Sequence, residues 1–351
     1  MADKPAAGRA DRSMGRRMVG IDLPAARPLM GLLADPEVTD VLVNGPSGVW
    51  VDGPEGLRAT AIALGTDVEI RALACQLATL GGKRLDDACP AADVRLPGGL
   101  RMHAILPPIA PGGPLISLRV VRRDSFTLAD LIERGTMGER CAELIARIVA
   151  SRANFLVCGA TGAGKTTLLS ALLGLASPTD RILLIEEAAE ISAHHRHIVR
   201  LEARPANSEG RGEITLADLV RQAVRMRPDR IVLGECRGAE VRDVLTALNT
   251  GHEGSCATLH ANTARDVPAR LVALGALAGM TPQAVAAGAV AALSAVIHLR
   301  RDRATGRREV TEIAAILPAD GAVATVPAVI VRRGQVERGP GWGELAGSCG
   351  W

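Results

Sequence analysis

The sequence predicts an α/β protein in which a mostly parallel sheet, flanked by helices, is preceded by a smaller α+β domain. Three observations carry this reading. The string Gly159-Ala160-Thr161-Gly162-Ala163-Gly164-Lys165-Thr166-Thr167 follows the apolar run Asn154 to Cys158 and precedes a Leu-rich segment, which is strand, turn and helix in succession. Two further apolar runs, Ile182 to Ile185 and Ile231 to Leu233, end in Glu186-Glu187 and Gly234-Glu235, as interior strands that deliver acids at their carboxyl ends would. Before residue 125, short alternating segments and glycine-rich turns read instead as hairpins around one helix.

Along the chain, residues 1–20 are polar, basic and without periodicity, and are expected to be a disordered tail. Residues 21–125 form the α+β domain. There, Val38 to Val43 and Val49 to Val51 flank the turn Asn44-Gly45-Pro46-Ser47-Gly48, which is hairpin chemistry. Asp67 to Leu80 carries Ile70, Leu73, Leu77 and Leu80 at helical spacing and stops at Gly81-Gly82. Arg101 to Leu106 and Leu115 to Val121 read as strands between Pro- and Gly-rich stretches. Residues 126–317 form the larger domain, opening on a helical stretch from about Thr127 to Arg152. In the remainder, 318–351, Val323 to Arg333 is expected to be a last strand, followed by a Gly/Pro-rich end without a readable signal.

At 351 residues the chain is long enough for two or three domains with cores of their own, and 48% hydrophobic with 23% charged residues is a globular composition. A net charge of +3 and five aromatic residues disfavour nucleic acid as a partner, because no stacking platform for single strands is available. Seven cysteines without a CxxC pair argue against a zinc site or a disulfide framework, and His194, His195 and His197 are read as connection residues and not as metal ligands. The Arg16-Arg17 pair is not followed by an apolar core, so no signal peptide is expected. The longest apolar run, Ala284 to Ile297, falls short of the ~20 residues that span a bilayer and reads as buried helix and strand.

The Gly159 to Thr167 string is a phosphate-binding loop, so the chain is expected to handle a nucleoside triphosphate. Its glycines let successive N–H groups curl inward, and the following helix adds its positive end. Gly159, Thr161, Gly162, Ala163, Gly164 and Thr167 would line the phosphates, Lys165 would reach the β- and γ-oxygens, and the Thr166 hydroxyl would ligate Mg²⁺. Only three lysines stand against 38 arginines, and Lys165 is one of them, where a compact ammonium fits and a planar guanidinium does not. Glu235 takes the position of a second metal-binding acid, touching Mg²⁺ through water. Glu186 is the candidate to polarise the attacking water. His252 and His260, eight apart in Thr250 to Asn262, are both placed to sense the γ-phosphate.

These residues together resemble the type II/type IV secretion ATPase superfamily, and within it the branch of tight-adherence (Tad/Flp) pilus-assembly ATPases. The matches are the phosphate loop, the acidic box Ile185 to Ile191, the second acidic motif Arg225 to Gly238 and the histidine box Thr250 to Asn262, in family order. The acidic box reads Glu-Glu where the family usually has Glu-Asp, and the tetracysteine module of type II secretion members is absent. The resemblance implies a RecA-like P-loop motor domain and a homo-hexamer that hydrolyses ATP with Mg²⁺. It also implies a cytoplasmic location at the inner face of the membrane, where polytopic inner-membrane partners couple the ring to pilus assembly or protein export. It further implies first-domain arginines against the nucleotide, which by motif position are Arg101 and Arg119. A nucleic-acid translocase or conjugation-type motor with the same loop is the alternative, with ATPase stimulated by single-stranded DNA as its signature. A non-hydrolysing scaffold ranks below both, since every catalytic position is filled.

Overall fold

The turn Gly45 to Ser47 needs a left-handed backbone at Gly45 (φ 58°), and it folds the first alternating segment back on itself. The computed structural model describes residues 24–351 except 54, 121–125, 207–210, 303–304 and 333, so the basic tail at 1–20 lies outside the described residues. The chain divides into two compact units, Met1–Arg122 and Arg123–Trp351.

In the first unit, α1 (Met30–Ala34) leads to the antiparallel pair β1 (Asp40–Asn44) and β2 (Val49–Asp52), with Val41 opposite Val51 and Val43 opposite Val49. These four valines point into the core because side chains alternate along a strand. After β3 (Arg58–Ala59) comes α2 (Asp67–Leu80), opened by a capping box in which Thr66 and Glu69 satisfy each other's backbone N–H groups. One face of α2, Ile70, Leu73, Ala74, Leu77 and Ala78, is buried. It stops at Gly81, where a Cβ would stand 1.9 Å from the Val94 Cγ1, so only glycine lets the helix end lie against the sheet. The strands β4 (Ala91–Leu96), β5 (Leu100–Ile105) and β6 (Leu115–Val120) complete the order β3-β2-β1-β6-β5-β4.

The second unit opens on two helices, α3 (Leu128–Glu133) and α4 (Glu139–Ala150), where the sequence predicts one. The break has a backbone cause. Gly135 is left-handed (φ 68°), and a Cβ on Gly138 would stand 2.8 Å from the Gly334 carbonyl oxygen. The chain then alternates through β7 (Phe155–Cys158), α5 (Lys165–Leu173), β8 (Ile182–Glu186), β9 (Ile198–Glu202), α6 (Leu216–Ala223), β10 (Arg230–Cys236), α7 (Val241–Leu248) and β11 (Cys256–Leu259). Next come α8 (Val267–Leu277), α9 (Pro282–Ala292), β12 (Ala295–Arg301), β13 (Arg308–Ala319), β14 (Ala322–Arg332), β15 (Gln335–Arg338) and α10 (Trp342–Ser348). The sheet order is β15-β14-β13-β12-β7-β11-β10-β8-β9. From β12 to β9 all neighbours are parallel, and β13 to β15 add an antiparallel wing.

Alternation along β7 divides the interior. Phe155 and Val157 face a core built with α3, α4, α5 and α10, while Leu156 and Cys158 face one built with α6 to α9. Burial on both faces explains why the central strands read as continuous apolar runs. The expected boundary at residue 317 falls inside β13, so 318–351 is not a separate piece. β14 is followed by β15 and by α10, with Leu345 fully buried and the Trp342 and Trp351 rings 5.8 Å apart.

Candidate functional site

β7 ends at Cys158, held in register with Leu259 on β11 and His298 on β12, so the loop that follows leaves from the middle of the sheet. Gly162 (φ 72°) and Gly164 (φ 98°) take left-handed conformations. Gly159 passes so close to β12 that a Cβ would stand 2.5 Å from the Leu299 carbonyl oxygen. Thr161 and Gly162 are exposed at the tip, Ala163 is fully buried, and α5 begins at Lys165 with Thr166 and Thr167 half-buried in its first turn. The Lys165 Nζ donates to the carbonyls of Gly159 (3.0 Å) and Ala160 (3.1 Å), so the side chain crosses the base of its own loop at 7% exposure.

Glu235 reaches this loop because β10 carries an extra residue. Leu233 pairs with Ala257 and Cys236 with Leu259, which is three steps on β10 against two on β11. The resulting bulge at Gly234-Glu235 re-aims the side chain at the strand end. Thr258 pins the bulge by donating its hydroxyl to the Gly234 carbonyl at 2.5 Å. His260, one residue beyond β11, stands between the two motifs. Its Nδ1 is 3.3 Å from the Lys165 Nζ and its Nε2 is 2.5 Å from the Glu235 Oε1.

Burial, and then the neighbouring Lys165 charge, hold the His260 pKa below its ordinary value, so the ring is neutral near pH 7. A neutral ring with its proton on Nε2 satisfies both contacts: Lys165 donates to Nδ1, and Nε2–H points at Glu235. Burial also lowers the Lys165 pKa, opposed by the Glu235 carboxylate.

Glu186 ends β8 and lies against the Gly234 backbone, where a Cβ would stand 3.0 Å from its Cγ. Its carboxylate is only 4% exposed. Oε1 accepts from the N–H groups of Glu190 (3.0 Å) and Ile191 (2.8 Å), and Oε2 pairs with Arg200 at 3.0 Å. Burial raises its pKa despite those donors. Glu187, the next residue, turns the other way and pairs with Arg237 at 3.1 Å.

His252 does not join the group. It precedes β11 while His260 follows it, so a four-residue strand, roughly 10 Å of chain, separates the two ends. The His252 Nδ1 bonds to the Ala247 carbonyl at 2.8 Å, which closes the α7–β11 connection. It therefore stands apart from the Lys165, His260 and Glu235 contacts. In the first unit, Arg101 and Arg119 are directly opposed across β5 and β6. Arg101 pairs with Asp93 through two nitrogens, at 3.2 and 3.0 Å, and Arg119 with Asp40 at 2.9 Å. Of the three histidines in the α5–β9 region, the His195 Nε2 contacts the Ser177 carbonyl and the His197 Nε2 contacts Arg181, both at 2.9 Å.

Two participants were not picked out from sequence. Arg237 sits in the second acidic motif, and its NH2 is 2.5 Å from the Glu235 Oε2 while its NH1 reaches Glu187. Arg308 comes from β13 and donates through Nε to the Gly162 carbonyl at 3.0 Å. The position of Arg237 two residues after Glu235 was a usable local signal. Arg308, 146 residues from Gly162, offers none.

The residues fit a magnesium-bound triphosphate. The Glu235 Oε1 is buried, and among the described residues its close neighbour is the His260 Nε2, without a well-formed hydrogen bond. Such an acceptor-only oxygen suits the hydration shell of a hard cation. A glycine loop opening a helix from the centre of a parallel sheet, with acids at neighbouring strand ends, defines a RecA-like phosphate-loop fold.

Comparisons with known proteins agree. The type II/IV secretion system protein family matches residues 23–324. A Mycobacterium tuberculosis protein carrying the provisional name of conjugal transfer protein is 50% identical over 316 residues, covering 88% of this chain and 90% of its own length. The conjugal transfer protein TrbB of Rhizobium radiobacter is 32% identical over 250 residues, covering 70% and 74%. Among solved structures, the Legionella pneumophila ATPase DotB has the same fold at a TM-score of 0.54 and 20% identity, over 84% of this chain and 78% of that one. The chain belongs to the type II/IV secretion system protein family, a family of secretion ATPases.

Proposed function

We propose that this chain is the ATP-hydrolysing subunit of a hexameric secretion motor. One observation carries the reading. Lys165, His260 and Glu235, from three motifs far apart in sequence, meet in a single chain of contacts at the carboxyl edge of a parallel sheet. Lys165 then leaves the loop carbonyls for the β- and γ-phosphate oxygens, and the loop amides and the N-terminus of α5 hold the remaining phosphate charge. Thr166 and Glu235, the latter through the ion's water shell, would hold Mg²⁺, which would supply charge neutralisation when bound. Glu186 orients the attacking water and takes its proton, a role suited to a carboxylate whose pKa burial has raised. His260, touching both Lys165 and Glu235, reads the γ-phosphate. Arg101 and Arg119 are, by motif position, the arginines proposed to add positive charge to the nucleotide.

The motif series supports a motor for Tad/Flp-type pilus assembly, working at the cytoplasmic face of the membrane through polytopic inner-membrane partners. No helix among the described residues is long and apolar enough to cross a membrane. Conjugal transfer, the description carried by the relatives, is the competing assignment. Phosphate release by the purified chain, with sedimentation to count subunits, tests the motor. A hydrolysis rate unchanged by Lys165→Ala removes it, and stimulation by single-stranded DNA with a steep salt dependence moves the chain to a translocase.

A further inference from the structure

We propose that Arg237 is a built-in counter-cation for the metal-binding acids: its guanidinium spans Glu235 and Glu187 and must yield to the divalent ion, so Arg237 sets the metal affinity of the site. The proposal rests on the nucleotide-site reading and extends it to a residue that reading leaves without a role.

The geometry is specific. The Arg237 NH2 lies 2.5 Å from the Glu235 Oε2 and its NH1 lies 3.1 Å from the Glu187 Oε2, so one planar fork ties the two acidic motifs together. The contacts are set from the backbone. Glu240, buried at the start of α7, accepts through Oε1 from the N–H groups of Arg237 (2.6 Å) and Gly238 (2.8 Å), which fixes the turn from which the side chain departs. A Cβ on Gly238 would stand 3.0 Å from the other Glu240 oxygen, so the turn is tight there. The Arg237 side chain itself is half-exposed, so it can swing outward while its backbone stays fixed.

Glu235 is thus contacted through Oε1 by a neutral imidazole and through Oε2 by a full positive charge. A divalent ion whose shell uses Glu235 arrives beside that charge. A double and a single positive charge about 5 Å apart repel appreciably even at the dielectric of water, enough for roughly a tenfold change in affinity. Arg237 also shields the two acidic motifs from each other while no metal is present. Lysine would not serve, because a point ammonium cannot bridge two carboxylates as a fork does.

The test is a Mn²⁺ titration of the full chain with ADP, followed by electron paramagnetic resonance, for wild type, Arg237→Gln and Arg237→Lys. ADP binding in EDTA is measured beside it. Arg237→Gln is expected to bind Mn²⁺ about tenfold more tightly in the presence of ADP, with metal-free ADP affinity unchanged. Arg237→Lys keeps the charge but loses the bridge, and is expected to tighten Mn²⁺ binding by roughly threefold. Unchanged or weaker Mn²⁺ affinity in Arg237→Gln, with metal-free ADP binding intact, overturns the proposal and leaves Arg237 as a brace. Should Arg237→Gln fail to fold, an unchanged Mn²⁺ affinity in a well-folded Arg237→Ala, which also removes the charge, overturns it equally. Absence of nucleotide binding in the wild type would instead defeat the nucleotide-site reading itself.

Discussion

The Nε2 of His260 stands 2.5 Å from the Oε1 of Glu235, while the opposite face of the same ring meets Lys165. The contact to Lys165 requires an unprotonated Nδ1, and burial together with the lysine charge keeps the ring neutral by lowering its pKa from 6.5. The sign of the pH effect follows. Between the lowered folded pKa and the unfolded value the unfolded chain holds the extra proton, so this group stabilises the fold above about pH 6.5 and that stability is lost as pH falls. Thermal melts of the wild type are therefore expected to lose stability more steeply on acidification than those of His260→Gln. His298, also lowered by burial, is unchanged in both proteins and cancels in the comparison. Equal slopes would mean that His260 is not held neutral.

Lys165 separates charge from shape. Its ammonium donates to two loop carbonyls in a space that is nearly closed to solvent. Lys165→Ala is expected to abolish phosphate release, a fall of at least about 10²-fold. Lys165→Arg keeps the charge but brings a larger planar head, and is expected to fail almost as badly. Substantial hydrolysis by the arginine variant would show that charge alone suffices.

Gly159 is constrained by the sheet whether or not a nucleotide is bound. A methyl group there would stand 2.5 Å from the Leu299 carbonyl oxygen, which belongs to β12, where Leu299 is held in register with Val310 of β13. Gly159→Ala is expected to cost about 1–3 kcal/mol of stability by overpacking. Urea unfolding measures this with no nucleotide present, and a midpoint within error of wild type would place the strain elsewhere.

What the sequence disclosed, and what it hid, divides along physical lines. α2 was legible to the residue because its ends are marked by local chemistry, the Thr66/Glu69 capping box and Gly81. β7, β8 and β10 were legible because strands buried on both faces must be apolar throughout. The break between α3 and α4 was not read, although Gly135 and Gly138 mark it locally; that Gly138 has no room for a side chain beside the Gly334 backbone shows only in the fold. The wing from β13 to β15 was only partly legible: β14 is rich in β-branched residues and reads as a strand, whereas β15, Gln-Val-Glu-Arg, is too short and polar to carry a pattern. At the site, Lys165, Glu235 and His260 stood in motifs whose spacing survives folding. That His252 and His260 stand at opposite ends of β11 was not legible from their spacing alone.

Glu186 and Glu187 offer the sharpest remaining comparison, since adjacent residues at a strand end face opposite ways. Glu186 is buried, with both oxygens engaged, and its raised pKa leaves it better suited than an ordinary carboxylate to take a proton near neutrality. Glu187 is half-exposed and tied to Arg237. If Glu186 is the base, Glu186→Gln retains ATP binding and slows phosphate release by about 10²–10⁴-fold, while Glu187→Gln changes hydrolysis by less than about tenfold. Because a glutamine at 186 keeps an acceptor for the Glu190 and Ile191 N–H groups but turns its amide toward Arg200 or loses that partner, some loss of stability accompanies the change. Rate and melting temperature must therefore be read together. A slow but well-folded Glu187→Gln beside an active Glu186→Gln would transfer the proton-accepting role to Glu187 and make Glu186 the anchor of the acidic loop.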